Sequence, residues 1–163
     1  MIVPDLLCEG LSLVFCGTAP SRASKEAQAY YAHPGNLFWK TLFEIGLTPR
    51  LIAPADYAGL LALKIGLTDL NKTEWGADAE LSPSAFDIVA FSEKMLRFRP
   101  RRIAFTSKTA GANFLGRRTL SYGLQPETLG ETALFVMPST SGRASSYFTI
   151  EPWRALAEHV RSG

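Results

Sequence analysis

Only two cysteines, Cys8 and Cys16, and two histidines, His33 and His159, occur in this chain of 163 residues. Two thiols cannot build a disulfide framework or a four-cysteine metal cluster. Neither histidine has a partner at metal-ligand spacing, so no metal site is expected. Long apolar runs are also missing. No stretch approaches the length that spans a bilayer, and the N-terminus shows no basic segment ahead of an apolar one. A reducing cytoplasm is the plain expectation. Charge of one sign is scarce: 17 Lys and Arg face 15 Asp and Glu, a formal net charge of +2. Any grip on nucleic acid must therefore come from local basic patches, not from a global field. The Gly-x-x-x-x-Gly-Lys-Ser/Thr and Gly-x-Gly-x-x-Gly loops are absent, as is the Gly-x-Ser-x-Gly elbow, which removes the usual phosphate cradles and serine hydrolases. Repeats, low-complexity segments and linkers are absent too. What remains is ordinary folded composition, 47% hydrophobic and 20% charged, at the size of a single domain spanning residues 1–163.

Short β-rich apolar runs alternate with helical patterns. Strands are expected at Leu11 to Cys16, Arg102 to Thr106 and Ala133 to Met137, with a weaker candidate at Leu63 to Leu70. Runs this short and apolar suit parallel strands covered on both faces, and Cys16 reads as a buried structural thiol. Helices are expected from Asn36 to Ile45, stopped by Gly46, and from Ala85 to Arg99 behind a Ser82-Pro83-Ser84 start. Two more are expected from Lys108 to Leu115, stopped by Gly116, and from Pro152 to Arg161. The alternation predicts a three-layer α/β/α domain around a mainly parallel, four-stranded sheet. Ligands of such sheets bind beyond the carboxyl ends of the strands. The loops after Cys16, Leu70, Phe105 and Met137 lie there. Arg97, Arg99, Arg101 and Arg102, the densest basic cluster, fall at the other end and read as a solvated turn.

Three segments carry a resemblance. The first strand opens into Gly17-Thr18-Ala19-Pro20-Ser21, followed by Tyr30-Tyr31-Ala32-His33-Pro34-Gly35-Asn36-Leu37-Phe38-Trp39. The last strand opens into Met137-Pro138-Ser139-Thr140-Ser141-Gly142-Arg143. In order and spacing, over nearly the whole chain, these resemble the uracil-DNA glycosylase superfamily. They look closest to the mismatch-specific uracil and thymine-DNA glycosylases and the hypoxanthine-DNA glycosylases. The resemblance implies a monofunctional glycosylase that flips a deaminated base out of DNA and hydrolyses its N-glycosidic bond in base-excision repair. It implies no cofactor, DNA as partner, a monomer, and a bacterial-type, nucleoid-associated location. The two cysteines exclude the iron–sulfur branch.

Individual residues carry both a structural and a functional reading. Gly17, Thr18, Ala19, Pro20 and Ser21 make a tight strand-to-helix turn. The same turn can aim backbone amides at a base carbonyl or a developing base anion. Tyr31 matches the aromatic ring that stacks on the flipped base, where stacking contributes about 1–3 kcal/mol. His33 reads as structural. Asn36 is a favoured helix cap, and the resemblance to hypoxanthine-DNA glycosylases makes it a candidate catalytic residue; one side chain can serve both roles. Asp69, within Gly66-Leu67-Thr68-Asp69-Leu70-Asn71-Lys72, matches the base-reading position and, ionised, only accepts hydrogen bonds. Ser139, Thr140, Ser141, Gly142 and Arg143 match the minor-groove loop, and Ser107 with Lys108 forms a second phosphate-clamp candidate.

The pattern departs from the family at two places. Ala19 stands where other branches carry a catalytic asparagine or aspartate, and Met137 where they carry a histidine or asparagine. Catalysis then falls to the amides of Thr18 and Ala19 together with Asn36 and Asp69. The departures also keep open a second reading, a weakly catalytic or non-catalytic binder of uracil-containing or abasic DNA. Uracil, hypoxanthine, xanthine and mismatched thymine all fit the residues named.

Overall fold

The computed structural model describes residues 1–163. Four parallel strands, β1 (Leu13–Gly17), β2 (Ile65–Asp69), β3 (Arg102–Phe105) and β5 (Thr132–Val136), and one antiparallel strand, β4 (Gly123–Leu129), form a single sheet in the order β2-β1-β3-β5-β4. Alternation along the strands builds two cores. Leu13, Phe15, Ala104, Phe135 and Met137 point to one face, where they meet α2 (Phe38–Glu44) and α5 (Glu151–Arg161). Val14, Cys16, Ile103, Phe105, Leu134 and Val136 point to the other, against α3 (Ile88–Phe98) and α4 (Lys108–Leu115). Trp153 anchors the first core. It is fully buried, stacks on Phe15 with centroids 5.6 Å apart, and donates its indole N–H to the Pro138 carbonyl at 3.1 Å. The three-layer architecture expected from the sequence is the one found, and Cys16 is buried as expected. No helix is long and apolar enough to cross a membrane.

The sheet has five strands where four were expected. The addition, β4, is half exposed, carries Pro126 and Gln125, and contains a register irregularity between Leu124 and Thr128. Such an edge strand shows no apolar run, because only one of its faces is covered, and proline is tolerated where one side of the strand has no partner. A short helix, α1 (Arg22–Ala27), was also not expected. Ser21 caps it by accepting from the Ser24 N–H at 3.1 Å. The start expected at Ser82-Pro83 is only a 3-10 turn over Pro83–Ala85; α3 begins later, where the Asp87 carboxylate accepts from the Ala90 N–H at 2.9 Å. Similarly, α2 begins at Phe38, whose N–H is taken by the Asn36 side-chain oxygen at 2.9 Å.

Arg102 corrects the reading of the basic cluster as solvated. It is buried at the amino end of β3, opposite the carboxyl-end loops, and its guanidinium is spent on neutral acceptors. Nε donates to His159 Nδ1 at 2.6 Å, and the terminal nitrogens donate to the His159 and Ser12 carbonyls at 2.8 and 3.2 Å. His159 must stay neutral to accept. Loss of hydration and the Arg102 charge both push its pKa below the ordinary value. A folded-state pKa below the unfolded one gives stability that is fully present above about pH 6.5 and lost as pH falls from there. The melting temperature should therefore drop between pH 7.5 and 5.5. It should drop less in His159→Asn, whose side-chain oxygen accepts without titrating, and thermal melts at the two pH values measure the difference.

Candidate active site

The parallel register sets Gly17, the last residue of β1, opposite Asp69, the last of β2, and Cys16 opposite Phe105 on β3. Three strand ends thus finish side by side. Into the gap between them project Asp69, Tyr31 and Thr106. A Cβ placed on Gly17 would lie 2.8 Å from Asp69 Oδ1, 3.4 Å from the Tyr31 hydroxyl and 3.5 Å from Thr106 Oγ1. Glycine at 17 is what leaves this space open. Tyr31 and Thr106 share a hydrogen bond at 3.1 Å, and the Tyr31 ring stacks on Phe38 with centroids 3.9 Å apart. Phe38 so covers one ring face. The Tyr31 backbone sits at φ 52°, in the left-handed region that bulky residues rarely enter, and strain of this kind collects at functional sites.

Asp69 is 4% exposed, and its Oδ2 has no hydrogen-bond partner. Burial pushes its pKa up to about 6; the Lys72 ammonium, 3.9 Å from Oδ2, opposes that shift. Buried polar groups are almost always satisfied; here the orphaned Oδ2 lies on the Lys72 side, while Oδ1 faces the space over Gly17. The same carboxylate, together with burial, raises the pKa of Tyr31 and Cys16.

The loop after β1 is fixed by its carbonyls. Gly17, Thr18 and Pro20 accept from the N–H groups of Leu70, Asn71 and Gly76 at 2.9, 2.8 and 2.9 Å, and Thr18 Oγ1 donates to Asp78 at 2.7 Å. The N–H groups of Thr18 and Ala19 have no partner in the protein. The loop therefore holds two unbonded N–H groups on a pinned backbone.

Asn36 shares with Tyr31, His33, Trp39, Lys40 and Leu51 a cleft of about 320 Å³ that neither Asp69 nor Gly17 lines. Its oxygen is engaged by Phe38, which leaves its amide as the group with capacity to donate. His33 Nδ1 accepts from the Gly35 N–H at 2.9 Å. The loop after β5 packs on this segment, with Leu37 N–H donating to the Thr140 carbonyl at 2.8 Å and Gly142 in contact with Gly35. In that loop Ser139 and Ser141 hydrogen-bond one another at 3.3 Å, Arg143 is exposed, and the Thr140 side chain is buried, so Thr140 serves through its carbonyl. Ser107 caps α4 through the Ala110 N–H, and Lys108 lies over the Tyr122 ring at 4.5 Å. Met137 is fully buried in the first core.

Thr106, Lys72 and Asp78 escaped the sequence reading as site residues. Only the position of Thr106, at the end of an apolar strand, hinted at its role. Asp78 holds Thr18 across 60 residues, a contact no local spacing reveals, whereas Lys72 lies only three residues from Asp69.

Residues 4–158 match the uracil DNA glycosylase superfamily. Among solved structures, the chain is similar to a protein from Methanosarcina acetivorans, proposed to be a uracil DNA glycosylase and determined by solution NMR. The identity is 24%, the TM-score 0.67, and the match covers 98% of this chain and 96% of that one. A likeness at that identity is one of fold.

Proposed function

The chain belongs to the uracil DNA glycosylase superfamily, and from that premise we propose that it is a monofunctional, single-domain glycosylase excising uracil or another deaminated base in base-excision repair. The observation that carries this reading is the buried Asp69 carboxylate, whose Oδ1 faces the space that Gly17 leaves open at the strand ends. A base extruded from the duplex enters beside Tyr31 and stacks on the ring face that Phe38 leaves free. The C1′–N bond breaks with its electron pair leaving on the base. The Thr18 and Ala19 amides stabilise that charge; comparable donors contribute roughly 10²–10³ in rate each. Water adds to C1′, and Asp69, ionised, orients it and takes its proton. Asn36 donates from its amide to the base or the water. Ser139, Ser141, Gly142, Arg143, Ser107 and Lys108 hold the flanking phosphates, and one protein acts on one extruded base as a monomer.

Oligonucleotides carrying one uracil or one hypoxanthine, single-stranded and duplex, test the reading. Strand breaks that appear only after alkali are expected. Met137 in the core and Ala19 without a polar group favour one other outcome, a binder that retards the oligonucleotide in a gel without cleaving it. Breaks before alkali would overturn the monofunctional reading.

Asn36→Asp separates the Phe38 contact from catalysis, because the aspartate keeps the acceptor for the Phe38 N–H and loses the amide. Excision should fall by roughly 10²-fold, with melting unchanged within a degree or two. Asn36→Ala should lose the same activity and, in addition, about 1 kcal/mol of stability. Single-turnover assays and melts on both variants check this.

A further inference from the structure

Behind Asp69 lies an array of alternating charge. Lys72 Nζ sits 2.9 Å from Asp5 Oδ1, Lys94 Nζ sits 2.6 Å from Asp5 Oδ2, and Thr68 donates to Asp5 at 2.7 Å. The Lys72 ammonium also donates to the Val3 carbonyl at 3.0 Å and to the Tyr30 hydroxyl at 3.3 Å. A lysine has three N–H donors, and Asp5, Val3 and Tyr30 take all three. Its distance to Asp69 Oδ2, 3.9 Å, is that of a charge and not of a donor. The N-terminal segment imposes this arrangement. Leu6 exchanges backbone hydrogen bonds with Leu67 at 2.9 Å, and Ile2 N–H reaches the Lys72 carbonyl at 3.3 Å. Gly66 permits the approach: a Cβ there would come within 2.6 Å of the Leu6 carbonyl oxygen.

We propose that Lys72 is a positioning residue that keeps Asp69 ionised by proximity alone, standing behind the buried Oδ2 with its donors tied to Asp5, Val3 and Tyr30, while Oδ1 faces the space over Gly17 where substrate or water would sit. A lysine with a spare N–H would also hold the charge, but by bonding Oδ2 directly it would draw the carboxylate away from the space over Gly17. The role rests on the assignment of Asp69 to the reaction. The other ionisable groups facing Asp69 are Tyr31 from the loop before α2, Cys16 on β1, and Tyr30. Asp5 from the N-terminal segment and Lys94 from α3 stand behind Lys72. Of these, Lys72 is the cation nearest to the carboxylate, and Asp5 opposes it.

The test has two readouts on the intact chain. The first is the carboxyl ¹³C resonance of Asp69 against pH in aspartate-labelled protein, identified as the signal missing from Asp69→Asn. The second is the single-turnover rate against pH on whichever of the uracil or hypoxanthine duplexes the parent cleaves. In Lys72→Met the carboxyl midpoint should rise by at least about one pH unit, which is tenfold in the ionised fraction at a pH below it. The acid limb of the rate should rise with it, activity should return at alkaline pH, and Lys72→Arg should restore much of the shift. A purely structural role predicts a loss that is the same at every pH. An unmoved carboxyl midpoint in folded Lys72→Met overturns the proposal. If Lys72→Met does not fold, Asp5→Asn gives the opposite sign: it removes a like charge and releases Lys72, so the midpoint should fall, and an unmoved midpoint again overturns it. A moved midpoint with an unmoved rate profile upholds the Lys72–Asp69 coupling and removes Asp69 from catalysis.

Discussion

Asp69→Asn should lower single-turnover excision by roughly 10²–10⁴-fold, the range over which a positioned general base acts, and leave the fold standing. Asparagine has nearly the same shape and fits the same space beside Gly17, but it cannot take a proton from water. The parent enzyme should show the same dependence through pH. Burial holds the Asp69 pKa at about 6, so the ionised fraction, and the rate with it, should fall as pH drops through that value and level off above about pH 7. The sign for stability is the reverse. Because the folded-state pKa lies above the unfolded one, near 3.9, the native state binds the proton more readily. The stability that proton confers is fully present below about pH 3.9, is lost as pH rises towards about 6, and is absent above it. At pH 8, Asp69→Asn should melt no lower than the parent while excising far less. A variant that excises at the parental rate would remove Asp69 from the reaction.

Gly17→Ala should be the next most damaging change, and by a different route. The added methyl would lie 2.8 Å from Asp69 Oδ1, closer than real contacts allow, while Tyr31 and Thr106 close off the other directions. The carboxylate must swing aside. A displacement near 1 Å in a reacting group can lower the rate about 10²-fold, whereas overfilling a packed site by one methyl costs about 1–3 kcal/mol. Single-turnover excision should drop about a hundredfold with a modest fall in melting temperature. Parental excision in the folded variant would mean that the space above Gly17 is not where the base or water sits.

The sequence made the sheet legible where the physics is local. Apolar runs such as Leu13–Gly17 and Arg102–Phe105 are covered on both faces, so hydrophobicity alone marks them. It failed at β4, where a one-sided, proline-bearing edge strand has no such signature. The candidates Gly17, Tyr31, Asn36 and Asp69 came from the motifs the resemblance rests on, and the structure places Gly17 and Asp69 at paired strand ends with Tyr31 reaching the same gap. Asn36 is not the N-cap of α2, which is Leu37; its oxygen accepts from the Phe38 N–H two residues on, and its amide makes no hydrogen bond within the protein. Arg102 was misread because its acceptors, the His159 ring and two carbonyls, lie 57 and 90 residues away. The saturation of Lys72 was hidden for the same reason, since Asp5, Val3 and Tyr30 are distant in sequence.

The hydrogen bond from Leu37 to Thr140, with Gly35 lying against Gly142, joins the Asn36 segment and the loop after β5 into one mechanical part; on the proposed function one would face the base and the other the phosphates. A change at Gly142 that pries the loops apart would shift Asn36 along with the phosphate contacts. Grip on the strand and excision of the base should then rise and fall together across variants of this loop. Selecting such variants for tighter DNA binding alone would alter the chemistry as well.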